Sequence, residues 1–257
     1  EVGQTVASCL TGFGAYSEYI CAPESEMTPV PPGLDPAEAV CLVANYVVAY
    51  QVLHRAAQVA PGERVLIHGA AGGIGTALLQ LGQLAELEMY GTASTAKQEL
   101  VANLGATPID YKKEDFVERI LSLTGDGVDV VCDSIGGSYV RRSYKTLRPG
   151  GRLVVFGGVA FAAEGILNML WGNLILRPIL NLIPDRRAAL TYVRGDSKKN
   201  SSPEWVREDL SKLFDLLAQK KIEPILTRMP LAEAARAHEL IGNASVKGKI
   251  VLMCNTA

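Results

Sequence analysis

The chain has 257 residues, enough for one large or two modest domains, each with its own core. Apolar residues make up 48% and charged residues 20%, which excludes a disordered chain; a formal net charge of -2 and a pI near 6.0 leave no electrostatic footprint for nucleic acid or an anionic membrane surface. Cys9, Cys21, Cys41, Cys132 and Cys254 form no C-x-x-C pair, and His54, His68 and His238 lie away from them. No metal site or disulfide framework is suggested, and a reducing, cytoplasmic compartment is expected.

In chain order, Glu1 to Ala22 reads as strands and turns: Gln4 to Ser8, then Gly12 and Gly14, then the alternating run Ala15 to Ala22. Two strands cannot form an independent sheet, so the chain is expected to begin partway through a domain. Pro23 to Pro36 is a proline-rich connection in which Asp35 can cap a helix opened by Pro36. A long apolar helical region follows from Ala37 to Ala57, with a break expected near Asn45, and Tyr46 and Tyr50 share one of its faces.

From Pro61 to Ser94 a turn, a short apolar strand (Val65, Leu66, Ile67), a glycine-rich bend and a helix (Ile74 to Ala85) follow without a gap. That is the context a dinucleotide-binding loop requires. The chain must turn sharply, bring bare backbone N–H groups against a pyrophosphate and let helix and strand pack closely, so side chains are excluded at specific points. The loop Gly69-Ala70-Ala71-Gly72-Gly73-Ile74-Gly75 reads as A-x-G-x-x-G, with Ala70 where the common pattern has its first glycine. Gly72 and Gly75 take the close-approach and packing roles.

About 20 residues on, where a NAD-preferring site carries Asp or Glu for the ribose 2′-OH, this chain has Gly91-Thr92-Ala93-Ser94 with Lys97 just beyond. A hydroxyl and an ammonium attract a 2′-phosphate, whereas a carboxylate would repel it. The cofactor expected is therefore NADP(H).

Helices and strands then alternate: helix Lys97 to Leu104, strand Thr107 to Asp110, helix Glu114 to Leu123, strand Val128 to Cys132 and helix Tyr139 to Leu147. The turn Pro149-Gly150-Gly151 and the strand Leu153 to Phe156 follow. This alternation implies an α/β fold with a doubly wound parallel sheet. Ser94, Asp133, Ser134 and Phe156-Gly157-Gly158 then share one rim with the glycine loop, beyond the carboxyl ends of the strands. The apolar stretch Gly165 to Pro184 is interrupted by Asn168, Asn173, Arg177, Pro178 and Asn181, so no spanning helix is expected there. It reads as a buried or subunit-contacting segment. A strand Ala189 to Val193, a polar loop Gly195 to Pro203 and an amphipathic helix with Leu210, Leu213, Phe214 and Leu217 inward come next. Pro224 to Arg228, Leu231 to Ile241 and Ile250 to Met253 close the chain as strand, helix, strand.

Taken together, these motifs resemble a zinc-independent member of the medium-chain dehydrogenase/reductase superfamily, in its quinone oxidoreductase (zeta-crystallin-like) branch, with some likeness to synaptic-vesicle membrane protein relatives. The resemblance rests on Gly12 to Tyr19, Asn45-Tyr46, Ala49-Tyr50-Gln51, Pro61-Gly62-Glu63, His68 to Gly75 and Gly91 to Ser94. It continues through Leu104-Gly105-Ala106, Ile109-Asp110-Tyr111, Gly136-Gly137, Pro149-Gly150-Gly151, Pro230-Leu231, Ala234 to His238 and Gly248 to Leu252. It implies a Rossmann NADP-binding domain over 46–221, flanked by the remnant of a GroES-like β-rich substrate domain, its C-terminal part over 1–45 and the return to it over 222–257. It also implies that Gly72, Gly73 and Gly75 line the pyrophosphate, with Ala70, Ile74 and Ser134 also binding the cofactor, and that Ser94, Lys97 and Tyr111 surround the 2′-phosphate. Phe156 and Gly157 border the nicotinamide side, and Asn45 and Tyr46 form the floor of the substrate cleft, with Tyr46 or solvent delivering a proton.

Two departures stand out: Val48 where many relatives have threonine, and Ala44 where zinc-dependent relatives have a catalytic cysteine. His68, ending a buried strand, reads as structural. The implied activity is NADPH-dependent hydride transfer to a small electron-poor acceptor, a quinone or an α,β-unsaturated carbonyl compound, in a homodimer. The alternative is a non-catalytic NADPH-binding scaffold, vesicle-associated or crystallin-like.

Overall fold

The computed structural model of the chain describes residues 2–8, 14–156, 188–192 and 203–254. The readings made above for Gly12, Phe13, Gly157, the stretch Gly165 to Pro184 and most of the loop Gly195 to Pro203 lie outside the described residues.

Six strands, β3 (Arg64–Ile67), β4 (Glu88–Ala93), β5 (Thr107–Asp110), β6 (Val128–Asp133), β7 (Leu147–Phe156) and β8 (Ala188–Tyr192), form one sheet in the order β5-β4-β3-β6-β7-β8. Every neighbouring pair is parallel. This is the doubly wound Rossmann order, and it reverses between β3 and β6, where a ligand crevice is expected. Successive strand residues point to opposite faces. Val65, Ile67, Val130, Cys132, Val154 and Phe156 therefore join one buried core, and Leu66, Val131, Leu153 and Val155 join another on the opposite face. Burial on both faces explains why these strands read as continuous apolar runs.

The helices complete both layers. Helix α3 (Gly73–Leu84) packs on the first face beside a continuous rod, Pro36–Ala57. On the second face Phe116 and Ile120 of α5 (Phe116–Thr124) and Val140 and Tyr144 of α6 (Tyr139–Lys145) are buried. The rod contains α1 (Pro36–Cys41) and α2 (Val47–Tyr50), separated and followed by π-helical turns at Leu42–Tyr46 and Gln51–Ala57. The break expected near Asn45 is thus a π-helical widening, a feature frequent at functional sites. Asp35 caps the rod as expected, its Oδ1 accepting from the N–H groups of Ala37 at 2.7 Å and Glu38 at 3.2 Å. By length and composition the rod matches a membrane span, but Leu42, Val43, Tyr46, Val47, Val52 and Leu53 are all buried in the fold's own core.

Helix α4 (Gln98–Asn103) links β4 to β5. Helix α7 (Pro203–Ala218) buries Leu210, Leu213, Phe214 and Leu217, as its spacing predicts. The remainder is β-rich. Strands β1 (Val6–Ser8) and β2 (Met27–Pro29) pair antiparallel; β9 (Leu226–Pro230) and β10 (Lys249–Met253) pair parallel, and α8 (Ala234–Gly242) lies between them in sequence.

Two expectations need correction. The alternating run Ala15 to Ala22 is not a strand: no strand pairs with it among the described residues, and Tyr16 and Tyr19 are exposed. The partner of β1 comes instead from the proline-rich connection, where Pro29 stands at the end of a two-stranded edge, a place proline tolerates. The turn Pro149-Gly150-Gly151 does not precede β7 but lies inside it. Val128 pairs with Leu147 and Val130 with Arg152, so the extra residues bulge out of the ladder at Gly150, whose φ is +82°.

Candidate functional site

A cleft of about 770 Å³ opens at the carboxyl ends of β3, β4 and β6, within the size range of ligand pockets. One wall is the glycine loop. Gly69 leaves β3 with a φ of +65°, and its carbonyl accepts the N–H of Gly72 at 2.9 Å. The helix's own first hydrogen bond is Thr76 N–H to the Gly72 carbonyl at 2.8 Å. The amides of Gly73, Ile74 and Gly75 precede that bond, so no helical carbonyl accepts them, and all three residues line the cleft. A Cβ at Gly75 would strike the Gly69 carbonyl, and one at Gly73 the amide of Asn45. The loop is therefore a bare backbone cradle at a helix N-terminus, the form suited to a pyrophosphate.

The second wall comes from the far end of the chain. Gly248 bridges to Gly72, and its N–H donates to the Ala71 carbonyl at 2.9 Å. Its φ is +66°, and any Cβ there would collide with the Ile225 carbonyl, so glycine is required. Ile241, Ala244, Val246, Lys249 and Ile250 line this side.

Of the residues expected at the cofactor, Gly72, Gly73, Ile74, Gly75, Ser94, Lys97, Tyr111 and Ser134 all line this one cleft, as does Asn45 from the π-helical turn. Lys97 already donates to the Val246 carbonyl at 2.5 Å. Burial, and then the neighbouring Lys247, lowers its pKa from the ordinary lysine value. Asp110, near in sequence, is turned to the Thr95 hydroxyl at 2.5 Å and the Lys112 N–H at 3.0 Å and does not line the cleft.

Three expected residues are placed elsewhere. Ala70 is fully buried, its methyl filling the space in front of Gly91, so it packs loop against strand and does not line the cleft. Tyr46 is buried, and its hydroxyl donates to Gln80 Oε1 at 2.9 Å. The Gln80 amide holds both the carbonyl and the N–H of Glu223, at 2.7 and 2.8 Å. Neighbours on a helix point about 100° apart; with Asn45 at the cleft, Tyr46 turns into the core. Burial raises its pKa far above that of an ordinary phenol, and its hydroxyl does not line the cleft. Phe156 is buried in the core and does not line the cleft.

Thr92 and Tyr139 also line the cleft and were not singled out from sequence. Thr92 lay within the Gly91 to Ser94 strand end, so its inward hydroxyl was the available signal; a tyrosine opening a helix carries none. His68 is buried, with ring contacts to Phe116 at 4.7 Å and Tyr139 at 5.5 Å, as a structural reading requires.

Among the described residues no group of three or more His, Cys, Asp and Glu side chains is placed to hold a metal ion. Burial pushes the Cys41 thiol up to about 11 and the Cys132 thiol up to about 12, and Cys41 donates to the Ala37 carbonyl at 3.2 Å.

Residues 104–252 match the family described as Zinc-binding dehydrogenase. The chain is 32% identical over 252 residues to the mouse (Mus musculus) synaptic vesicle membrane protein VAT-1 homolog, covering 95% of this chain and 62% of that protein. It is 33% identical to a 2-haloacrylate reductase of Burkholderia sp, over 98% of this chain and 74% of the reductase. The solved structure of the Escherichia coli quinone oxidoreductase complexed with NADPH superposes with a TM-score of 0.85 at 25% identity, over 98% of this chain and 76% of that one. The chain thus spans about three fifths of the VAT-1 homolog it matches. Motifs, sheet order and these likenesses agree that the chain belongs to the zinc-binding dehydrogenase family, an oxidoreductase family of the medium-chain dehydrogenase/reductase superfamily.

Proposed function

We propose that the chain binds NADP(H) across the rim of its parallel sheet and serves hydride transfer to a small electron-poor acceptor, a quinone or an α,β-unsaturated carbonyl compound. The observation that carries this reading is the charge of the cleft: its described lining includes Lys97 and Lys249 and no Asp or Glu. A dinucleotide bearing a 2′-phosphate meets attraction there without carboxylate repulsion. In this reading the amides of Gly73, Ile74 and Gly75 hold the pyrophosphate, and Ser94, Lys97 and Tyr111 hold the 2′-phosphate. Ser134 and Asn45 border the nicotinamide and the acceptor.

When bound, the nicotinamide supplies the hydride. An acceptor that is already electrophilic takes it without Lewis-acid polarisation. The residues of the chain orient the two partners and exclude water, and solvent rather than Tyr46 supplies the proton. The solved NADPH complex and the reductase relative support this reading. A homodimer, checked by light scattering, and a cytoplasmic location are proposed with it.

The test is a titration of the full-length protein with NADPH and NADH, followed by absorbance-monitored NADPH oxidation across a panel of quinones and enones. Tighter binding of NADPH and turnover of at least one acceptor class are expected; equal affinities overturn the cofactor assignment. The likeness to a vesicle membrane protein favours a second reading, a non-catalytic NADPH-binding protein. Binding without oxidation of NADPH by any acceptor would select it.

A further inference from the structure

Behind the glycine loop lies a chain of buried polar side chains that takes no part in the reading above. Asp133, Ser143, His68 and Thr92 are each no more than 2% exposed. Asp133 Oδ1 accepts the N–H groups of Ile135 at 2.8 Å and Gly136 at 2.9 Å, and its Oδ2 accepts the Ser143 hydroxyl at 2.8 Å. Ser143 Oγ lies 3.1 Å from His68 Nε2, and His68 Nδ1 lies 3.1 Å from Thr92 Oγ1. Thr92 Oγ1 in turn accepts the Gly69 N–H at 3.3 Å.

The donor directions follow from the chemistry of the groups. A carboxylate only accepts, so Ser143 spends its one hydrogen on Asp133 and is left an acceptor toward His68. Nε2 must then carry a hydrogen, and in a neutral imidazole Nδ1 is the acceptor. Thr92 therefore donates to Nδ1 and turns its lone pairs to Gly69. Burial, opposed by Asp133 and helped by Arg142, lowers the His68 pKa, which agrees with a neutral ring. The groups around the ring are Thr92 of β4, Phe116 of α5, Asp133 of β6, and Tyr139, Arg142 and Ser143 of α6, with the Arg142 guanidinium over the Phe116 ring at 4.5 Å.

We propose that Asp133 acts through Ser143, His68 and Thr92 as a positioning relay: it fixes the His68 tautomer and, through the Thr92 hydroxyl, anchors Gly69 and the glycine loop. The same carboxylate shapes the Ser134–Ile135 side of the cleft, so one buried charge organises both edges of the crevice between β3 and β6. Its consequence for ligand affinity rests on the NADP(H) reading; the tautomer and the loop anchor do not.

The experiment uses the full-length protein in three measurements. First, ¹⁵N NMR of the His68 ring at neutral pH should show hydrogen on Nε2 and none on Nδ1, and Asp133→Asn, which can donate to Ser143, should reverse the pattern. A wild-type ring with hydrogen on Nδ1 overturns the relay, whatever happens to the variants. Second, amide exchange at Gly69 should quicken about tenfold in Thr92→Val, the scale of one lost hydrogen bond, and return to the wild-type rate in Thr92→Ser, with the β3 amides unchanged. Unchanged Gly69 exchange in a folded Thr92→Val overturns the anchor. Third, NADP⁺ affinity should fall about tenfold in Thr92→Val and recover in Thr92→Ser. If the wild-type protein binds no dinucleotide, the NADP(H) reading fails while the first two measurements still decide the relay.

Discussion

The two walls of the cleft are built on different physical principles. The sheet-rim wall, from Gly69 to Gly75 with Thr92, Ser94 and Ser134, is continuous with buried strands and backed by the Asp133–Ser143–His68–Thr92 chain. The return wall, from Ile241 to Ile250, is joined to the glycine loop by the Gly248–Ala71 hydrogen bond and to the end of β4 by Lys97 reaching the Val246 carbonyl. Its Ile241 is 54% exposed. One wall is thus held by the large core, and the other by a few polar contacts, the β9–β10 pairing and the small cluster of Ala37, Cys41 and Val251. Damage to the first should cost fold and binding together, and damage to the second should cost binding with less loss of fold.

The largest effect should come from Gly75→Ala, because its Cβ meets the backbone of Gly69 and Ala70 rather than a side chain that can move. Overpacking of this kind costs about 1–3 kcal/mol, and dinucleotide binding should vanish; thermal unfolding and an NADPH titration check both, and an unchanged Tm would break the contrast. Gly248→Ala strains a positive φ and strikes the Ile225 carbonyl, at about 1–2 kcal/mol. It should weaken cofactor binding while leaving the circular dichroism of the parallel sheet intact.

Lys97→Ala removes a charge from the junction of the two walls. NADPH affinity should fall roughly tenfold, as for a charge-assisted hydrogen bond, with NADH affinity unchanged; equal losses for both would remove the 2′-phosphate role. Tyr46→Phe should cost about 1 kcal/mol of stability through the lost bond to Gln80 and leave kcat unaltered. A large drop in kcat with no change in Tm would return the tyrosine to the chemistry.

The smallest effect is one of pH. Burial lowers the His68 pKa below its ordinary 6.5, and that of His54 likewise. As the pH falls through 6.5 the unfolded chain takes up protons that the folded chain refuses, so stability is full above that pH and declines below it, until the folded groups titrate. Tm should therefore fall on acidification from neutrality. His68→Gln should flatten the slope, and a slope of opposite sign would contradict the buried neutral ring.

How far the site could be read from sequence depended on the range of the forces involved. The strand Val65 to Ile67, the glycine loop and the cap at Asp35 are local: apolar runs, a sharp turn and a carboxylate beside two amides act within a few residues. All three stand as expected. Tyr46 and Asn45 look equivalent in sequence, yet one is buried against Gln80 and the other faces the cleft. That choice depends on what packs against a helix, not on the helix itself. Lys97 lines the cleft, but its engagement with Val246 required the chain to return from a position 149 residues further on. Pairing of β1 with β2 rather than with the run Ala15 to Ala22 was likewise a contest between alternative partners, which alternation alone does not resolve.

By itself, then, the sequence determined the repeating strand-helix order, the bare backbone at Gly72 to Gly75 and the absence of an acidic residue at the end of β4, because each is a property of short segments. Only the tertiary structure decided that Gly248 closes the cleft, that Ala70 and Tyr46 turn inward, and that Asp133 reaches Gly69 through three side chains. Those outcomes depend on which distant surfaces meet, and burial makes each meeting costly to leave unsatisfied.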